Sequence, residues 1–438
     1  MSDLGLKALV KNTATTLGRQ LIAGIIQLVT AVIIARVFGP EGNGQFTVAL
    51  LFPMVLITFL NLGIGSANVY HIGSGKVSLS TALRTSIRLW LILGVTGTVI
   101  GALSIYFGAV RLFPGVDVSL LWWSLAVFPV TLGQNYLISM FQGLQLFREF
   151  NYVLLVQPVV TLMLVVVITV TGIADVGYLI VAYLVGLVMA ILVSIYFLAY
   201  FENADNVIPD NADYFSSAIN YGYKSNLSNI LAYVNYKADI FLVNFLIGTS
   251  AAGIYIIAVQ LVERLWMLSQ SVSIILLPRL SQLNSDETKR RQITPIICRW
   301  VIALTLLGSI VLGVLSSPLI GLLFGEAYLE AVEPLLFLLP GILAGSGTKI
   351  LANDIAARGR PELNMYTAWI VVIVNIAGNM ILIPPYGLAG AAAATSIAYV
   401  LNLLLKMLIY SYFTGNKWGD SLFIKYGDVR LMLMKISK

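Results

Sequence analysis

The chain has 438 residues, of which 59% are hydrophobic and only 11% charged, with a mean hydropathy of +0.91 and a formal net charge of +6. Soluble domains carry roughly 25% charged residues, so a water-facing globular protein is excluded. The single cysteine, Cys298, excludes an intramolecular disulfide, and the single histidine, His71, excludes a histidine-cluster metal site.

In chain order, apolar runs near the ~20 residues needed to cross a bilayer recur from end to end. The first half gives segments at 16–37, 45–68, 86–108, 119–143, 152–171 and 177–201. The second half gives 217–247, 251–280, 296–324, 333–354, 364–384 and 388–413. This predicts an all-α polytopic membrane protein with about twelve transmembrane helices in two six-helix lobes. The N-terminal lobe covers 1–201, a cytoplasmic linker 202–216, the C-terminal lobe 217–413 and a basic cytoplasmic tail 414–438. The first segment is too long for a secretory signal and has no small-residue cleavage site after it, so no signal peptide is expected.

The basic residues set the orientation. With the N-terminus inside, all 26 Lys and Arg residues fall on the cytoplasmic side except Arg36, Arg111, Lys237, Arg264 and Lys349. That satisfies the positive-inside rule and puts both termini in the cytoplasm. The positive charge therefore reports topology, and no nucleic-acid partner is expected. The stretch GSGKVS at 73–78 falls short of a phosphate loop: Tyr70 stands where the first Gly belongs and Val77 replaces Ser/Thr. It reads as a turn. The tail, with IKYGDVRLMLMKISK, mixes apolar and basic residues and is expected to rest on the inner leaflet.

One pattern occurs twice, half a chain apart. Residues 39–49 (GPEGNGQFTVA) and 248–258 (GTSAAGIYIIA) both read Gly, four residues, Gly, one residue, an aromatic, two residues, Ala. Each copy sits in the outer turn between the first and second helix of its half, where Gly permits positive φ and close helix approach. Both copies face the same side, so the halves form a parallel internal repeat. Transporters whose halves rock about a central site are built this way.

Three stretches then carry a family resemblance: IIARVFGPEGNGQF, DIFLVNFLIGTSAAGIYIIAVQLVE with LLPRLSQL after it, and PPYGLAGAAAATSIAY. They resemble the Wzx-type polysaccharide and O-antigen flippases of the multidrug/oligosaccharidyl-lipid/polysaccharide exporter superfamily, over nearly the whole chain. The last stretch is the most specific, and its small residues Ala391–Ala394 also let two membrane helices approach closely. The resemblance implies two six-helix lobes around a cavity. It implies movement of undecaprenyl-diphosphate-linked oligosaccharide from the inner to the outer leaflet of a bacterial or archaeal cytoplasmic membrane, for surface polysaccharide synthesis. Membrane lipids, a polysaccharide polymerase and chain-length machinery are the partners it implies. The related lipid II flippases carry an Arg-Asp pair where this chain has Thr30 and Ala31, and extra C-terminal helices, so a peptidoglycan-precursor flippase is not expected.

Polar residues inside the segments mark the candidate site. Thr13, Thr16, Gln20, Gln27 and Thr30 fall on one stripe of the first segment, and Asn226, Asn229, Tyr233, Lys237 and Asn244 on one stripe of the seventh. Ser228, Asn235 and Asp239 lie on the seventh segment's other side. Gln260, Glu263 and Gln270 line the eighth, Asn135 and Ser139 the fourth, and Asn375 and Asn379 the eleventh. Single amides serve as interhelical glue, whereas continuous stripes fit the wall of a hydrated cavity.

A charge at bilayer depth costs ~2.5–3.5 kcal/mol or more unless paired or hydrated. Two readings follow for the charged residues. Interhelical salt bridges are one. The other gives Lys237, Arg264 and Lys349, with Arg19 and Arg88 at the cytoplasmic mouth, charge-assisted contacts to the diphosphate. Asp239 and Glu263 are then candidates for a coupling H+ or Na+, with no other cofactor. Arg36 snorkels to the headgroups. A multidrug or small-solute antiporter of the same superfamily is the alternative function, which topology does not separate. A membrane polymerase or ligase needs a sizeable extracytoplasmic loop. The longest here is around 109–118, and Glu326, Glu330 and Glu333 span only a turn or two, so no enzyme is expected.

Overall fold

The computed structural model describes residues 3–173, 175–202, 214–282 and 287–425. Among them the chain forms α-helices and short 3-10 turns, with no strand. In lipid a backbone polar group has no water to turn to, so a helix, which satisfies its own N–H and C=O groups, is the natural spanning element. The helices are α1 (Asp3–Leu60), α2 (Ile64–Gly73), α3 (Leu79–Leu112), α4 (Val118–Leu125), α5 (Val127–Gly143), α6 (Phe147–Val170) and α7 (Gly177–Glu202). They continue with α8 (Tyr214–Leu246), α9 (Thr249–Glu263), α10 (Trp266–Gln282), α11 (Glu287–Leu323), α12 (Val332–Ala357) and α13 (Pro361–Thr414). Polar caps mark several starts: Ser78 Oγ accepts the Thr81 N–H at 3.2 Å, and Asp117 accepts the Ser119 N–H at 2.8 Å.

Seven described helices are long and apolar enough to cross a membrane, or eight if the bent pair α9 and α10 counts as one. Two of the seven are folded over. The apolar part of α1, Gly18–Leu60, has 43 residues. At about 1.5 Å per residue that is roughly 65 Å, twice the ~30 Å hydrocarbon core. Its break is Gly39 (φ 65°, ψ −176°), followed by Pro40, which lies between the first two predicted segments.

In α13 the contacts themselves show the reversal. Gly390 packs on the Leu382 carbonyl, Gly378 on Ala394, and the Lys406 ammonium donates to Asn364 and Thr367. Each step away from Gly387 on one side is matched by a comparable step on the other, as in an antiparallel helical hairpin. Gly387 (φ 56°, ψ −134°) is the corner, shortly after Pro384 and Pro385. The segments predicted at 364–384 and 388–413 are its two arms.

Elsewhere the structure breaks segments that read as continuous. The segment 45–68 ends its first helix at Leu60 and restarts in α2, because Leu62 and Gly63 take positive φ. The segment 119–143 splits at Ala126, and 251–280 bends by 48° between Glu263 and Trp266. The predicted linker falls largely outside the described residues, as does the tail beyond 425.

By packing, the chain divides into two compact units. The first holds residues 1–233 with 248–253, and the second 234–247 with 254–438. In the first, Ile34, Val165, Ile168, Leu179 and Ala182 form a core among α1, α6 and α7. In the second, Leu276, Cys298, Ile302, Ile350 and Met407 form one among α10 to α13. Both Gly39 and Gly248 take positive φ, at 65° and 131°. Within the first unit the two copies of the repeated pattern meet. A Cβ on Gly44 would overlap the Thr249 carbonyl, and a Cβ on Gly253 would overlap the Pro40 carbonyl. Since Thr249 holds in one copy the place Pro40 holds in the other, the contact is reciprocal. Asn43 adds a hydrogen bond to the Gly253 carbonyl at 2.9 Å, and Glu41 accepts one from the Thr249 hydroxyl.

Candidate functional site

The polar side chains of the second unit gather where α8, α9, α10, α12 and α13 meet. Asp239 on α8 is only 2% exposed, a position at which a carboxylate needs several hydrogen bonds. It has them. One oxygen accepts from the Tyr255 hydroxyl at 2.9 Å and the Thr395 hydroxyl at 3.3 Å, and the other from the Ile240 N–H at 2.8 Å. Tyr255 is the aromatic residue of the second pattern copy, and Thr395 follows the Ala391–Ala394 run.

Two residues before Asp239 on the chain, Lys237 faces Glu263 at 3.8 Å, each side chain about a third exposed (30% and 31%). Lys349 on α12 places its ammonium 4.0 Å from the centre of the Trp266 ring, a cation–π contact. The ring is fixed by its indole N–H, which donates to the Ile342 carbonyl at 2.9 Å, and by Gly345 beneath it. Tyr236 and Tyr399 each lie 5.5 Å from the same ring, so a three-aromatic wall backs the lysine. The Glu263 carboxylate acts electrostatically on Arg264 and Lys349 as well as on Lys237. Three cations therefore share this cluster with two carboxylates, one of which, Asp239, is buried and fully hydrogen-bonded. The local excess is positive. Such an arrangement can meet a multivalent anion with charge-assisted hydrogen bonds.

Lys237 and Glu263 form an interhelical ion pair, the first of the two sequence readings, with Lys349 against the Trp266 ring nearby. Sequence reasoning missed Tyr255, Thr395, Trp266, Tyr236 and Tyr399. Tyr255 was within reach as part of the repeat, but nothing in the spacing pairs Thr395 with Asp239, since 156 residues separate them.

The candidates in the first unit are placed more widely. Arg19 is buried with its guanidinium over the Phe150 ring at 5.3 Å. Gln20 is half-buried and Gln27 exposed. Both lie across α1 from the exposed apolar stripe of Leu21, Ile22, Ile25 and Val29, so α1 exposes an apolar face and a polar one. The side chains of Thr13 and Thr16 lie outside those described. Arg88 stands exposed on α3 beside Ile87, Leu91 and Ile92. Asn135 is half-buried in an open cleft of about 560 Å³ with Tyr70, Gln142 and Tyr221. Asn226 is buried and donates to the Thr58 carbonyl at 3.0 Å, a helix-to-helix tie. The Tyr233 hydroxyl is buried and makes no hydrogen bond among the described residues.

Comparison with known proteins bears on what such a site serves. The fold is similar to a lipid II flippase MurJ in an inward closed conformation, with a TM-score of 0.71 and 16% identity over 96% of this chain and 95% of that one. It is equally similar to an inward-facing multidrug transporter of the MATE family, with a TM-score of 0.73 and 14% identity over 92% and 98%. Among curated proteins, a probable low-salt glycan biosynthesis flippase of Haloferax volcanii, Agl15, is 27% identical over 208 residues, 47% of this chain and 44% of that one. A putative O-antigen transporter of Shigella flexneri is 25% identical over 240 residues, 52% and 55% respectively. The chain spans about half the length of these curated relatives. They are named as flippases and transporters, in keeping with the expectation that the chain is no enzyme. The profile of the lipid II flippase MurJ family matches residues 151–426, a wider likeness to that branch than Thr30 and Ala31 led one to expect. With the profile of the polysaccharide biosynthesis protein family matching residues 9–284 besides, this multi-pass membrane chain belongs to the polysaccharide biosynthesis protein family and shares the pattern of the MurJ flippases.

Proposed function

We propose that the chain flips a lipid-linked oligosaccharide, carried on undecaprenyl diphosphate, across the cytoplasmic membrane of a bacterium or archaeon by alternating access. Both termini lie in the cytoplasm, and the product passes to a polymerase and its chain-length machinery. The observation that carries this reading is the cation cluster of Lys237, Arg264 and Lys349 around Glu263. Its charge complements a diphosphate, and Glu263 supplies a substitute anion when the diphosphate leaves. The three-ring wall of Tyr236, Trp266 and Tyr399 adds flat apolar faces of the kind sugars stack on. Names given to relatives, a glycan biosynthesis flippase and an O-antigen transporter, support the same substrate class. A cation-exporting multidrug antiporter, the alternative offered by the MATE likeness, fits poorly with a site whose charge excess is positive. Arg19, Gln20, Gln27, Arg88, Asn135, Asn226 and Tyr233 take supporting places in this reading, Asn226 and Arg19 by bracing helices and Gln20 and Gln27 as the polar face of α1.

The test is reconstitution into liposomes with a fluorescent polyprenyl-diphosphate oligosaccharide in both leaflets, scoring its exposure to an external sugar oxidase or lectin. Wild type should equilibrate the leaflets, and Lys237→Glu and Lys349→Glu should reduce the rate at least tenfold while inserting normally. Conservative Lys237→Arg should retain most activity. Charge reversal without loss of leaflet exchange removes the cation role, and export of cationic dyes in place of the glycolipid moves the chain to the antiporter reading.

A further inference from the structure

The cleft beside Asn135 belongs to the first unit, whereas the cation cluster belongs to the second. Three helices build it. α2 contributes Ser66 and Tyr70, one turn apart on one face; α5 contributes Asn135 and Gln142, two turns apart on one face; and α8 contributes Tyr221. Close backbone approaches set these residues in place. Gly65 packs on Ser139 and Gly143 on Ile72, which joins α2 to α5. A Cβ on Gly222 would overlap the Leu62 carbonyl, so α8 lies directly against the turn that precedes α2. Tyr221 then stacks on Tyr70, with ring centres 4.7 Å apart and planes 8° from parallel, and His71 meets both rings edge-on.

The polar groups here sort into two rows. Behind the cleft, the buried Asn68 amide donates to the Ser86 and Ser139 hydroxyls at 3.1 and 2.9 Å, and its oxygen accepts from the Tyr214 hydroxyl at 2.6 Å. That row is satisfied. Along the lining, the side chains of Ser66, Asn135 and Gln142 and the Tyr221 hydroxyl make no hydrogen bond among the described residues. Lipid offers nothing to replace the hydrogen bonds of two open amides, so this face needs water or a polar ligand. No charged side chain stands among the described lining residues, and Lys76 is engaged with the Tyr70 hydroxyl at 3.2 Å. The lining therefore suits neither a diphosphate nor a cationic drug. Amides and hydroxyls both donate and accept, as the neighbouring hydroxyls of a sugar require. Tyr70 and Tyr221 are 43% and 39% exposed, so the stacked pair presents a flat apolar surface to the C–H side of a sugar ring. The volume of about 560 Å³ falls within the ~300–1,000 Å³ usual for small-molecule sites. We infer that this cleft receives an uncharged sugar ring of the lipid-linked oligosaccharide, and reads the glycan separately from the diphosphate. In the proposed orientation Lys76 after α2 and Arg148 after α5 put it at the cytoplasmic end, where the sugar arrives. This assignment rests on the proposed flippase reading.

The test holds the purified full chain in phosphatidylcholine nanodiscs and measures its affinity for polyprenyl diphosphates that carry no sugar, a single hexose or a single N-acetylhexosamine. Wild type should bind at least one sugar-bearing lipid severalfold more tightly than the sugar-free one. Gln142→Ala, which removes an exposed side chain and leaves folding intact, should abolish that gain, as should Tyr221→Leu. Tyr221→Phe keeps the stack and should retain part of it. A wild type that binds all the lipids alike overturns the assignment, as does a gain that survives in both Gln142→Ala and Tyr221→Leu. Either result leaves the flippase reading standing. Loss of the gain when phosphatidylglycerol is added to the nanodisc marks a phospholipid headgroup slot and also overturns it. A sugar gain that depends on Gln142 and Tyr221, in a chain that exchanges no sugar-lipid between leaflets, keeps the cleft and removes the flippase reading.

Discussion

At the residue scale, the sharpest constraint is the reciprocal contact of Gly44 and Gly253. Each glycine faces a backbone carbonyl of the other pattern copy, so neither position has room even for a methyl group. Backbone cannot swing aside as a side chain can, and overpacking of this kind costs ~1–3 kcal/mol. Gly44→Ala and Gly253→Ala should each lower thermal stability in detergent by an amount of that order. Because both relieve their clash by separating the same two segments, the double variant should cost clearly less than the two singles together. Additive losses indicate two unrelated strains and remove the interlock. The repeat was legible in the sequence from its spacing alone. That its copies touch was not, since a pattern reports local geometry and says nothing of which distant segment it meets. Asn226 shows the same limit. Its place on a polar stripe reads as cavity wall, yet its amide is spent on the Thr58 carbonyl.

At the element scale, the corners that prolines and glycines punctuate were readable, and the others were not. Gly39 before Pro40, and Gly387 after Pro384 and Pro385, mark the reversals of α1 and α13 because only glycine takes φ near +60° cheaply and proline removes a helical N–H. The bend between α9 and α10 carries neither. It falls at Glu263, Arg264 and Leu265, where Trp266 is tied to the Ile342 carbonyl of α12, a tertiary cause that periodicity cannot encode. The α13 hairpin gives a graded prediction. Gly387→Ala puts a side chain at φ 56°, ψ −134°, a conformation kept almost entirely for glycine, at a cost of about 1–3 kcal/mol. Gly390→Leu adds a bulky side chain against the Leu382 carbonyl and should be worse. Gly419, where a Cβ meets nothing within 4 Å, should tolerate Ala. Melting temperatures should therefore be highest for Gly419→Ala, lower for Gly387→Ala and lowest for Gly390→Leu. A Gly390→Leu protein as stable as wild type contradicts the packed hairpin.

At the scale of the whole molecule, the proposed flipping needs something that gives it a direction. The cluster in the second unit holds three cations, and its charge excess depends on whether Asp239 keeps its negative charge, two residues from Lys237. Binding of H+ or Na+ at Asp239 removes one negative charge and leaves the cluster more positive, so it strengthens diphosphate binding. By linkage, diphosphate strengthens ion binding by the same factor, commonly about 5- to 150-fold. Asp239→Asn keeps the side chain's shape and, through its amide oxygen, the bonds from Tyr255 and Thr395, gives up the acceptor for the Ile240 N–H, and fixes the neutral state. It should therefore bind a polyprenyl diphosphate tightly whatever the ion concentration, and flip it without response to an imposed gradient. If H+ or Na+ couples through Asp239, wild type should lose affinity when that ion is withdrawn, and comparing sodium-free buffers with a pH series tells the two apart. The decisive measurement is affinity for the sugar-free diphosphate lipid, because it reports the cluster before any movement occurs. If the Asp239→Asn protein still responds to sodium or pH as wild type does, the coupling carboxylate lies elsewhere, with Glu263 the next to neutralise.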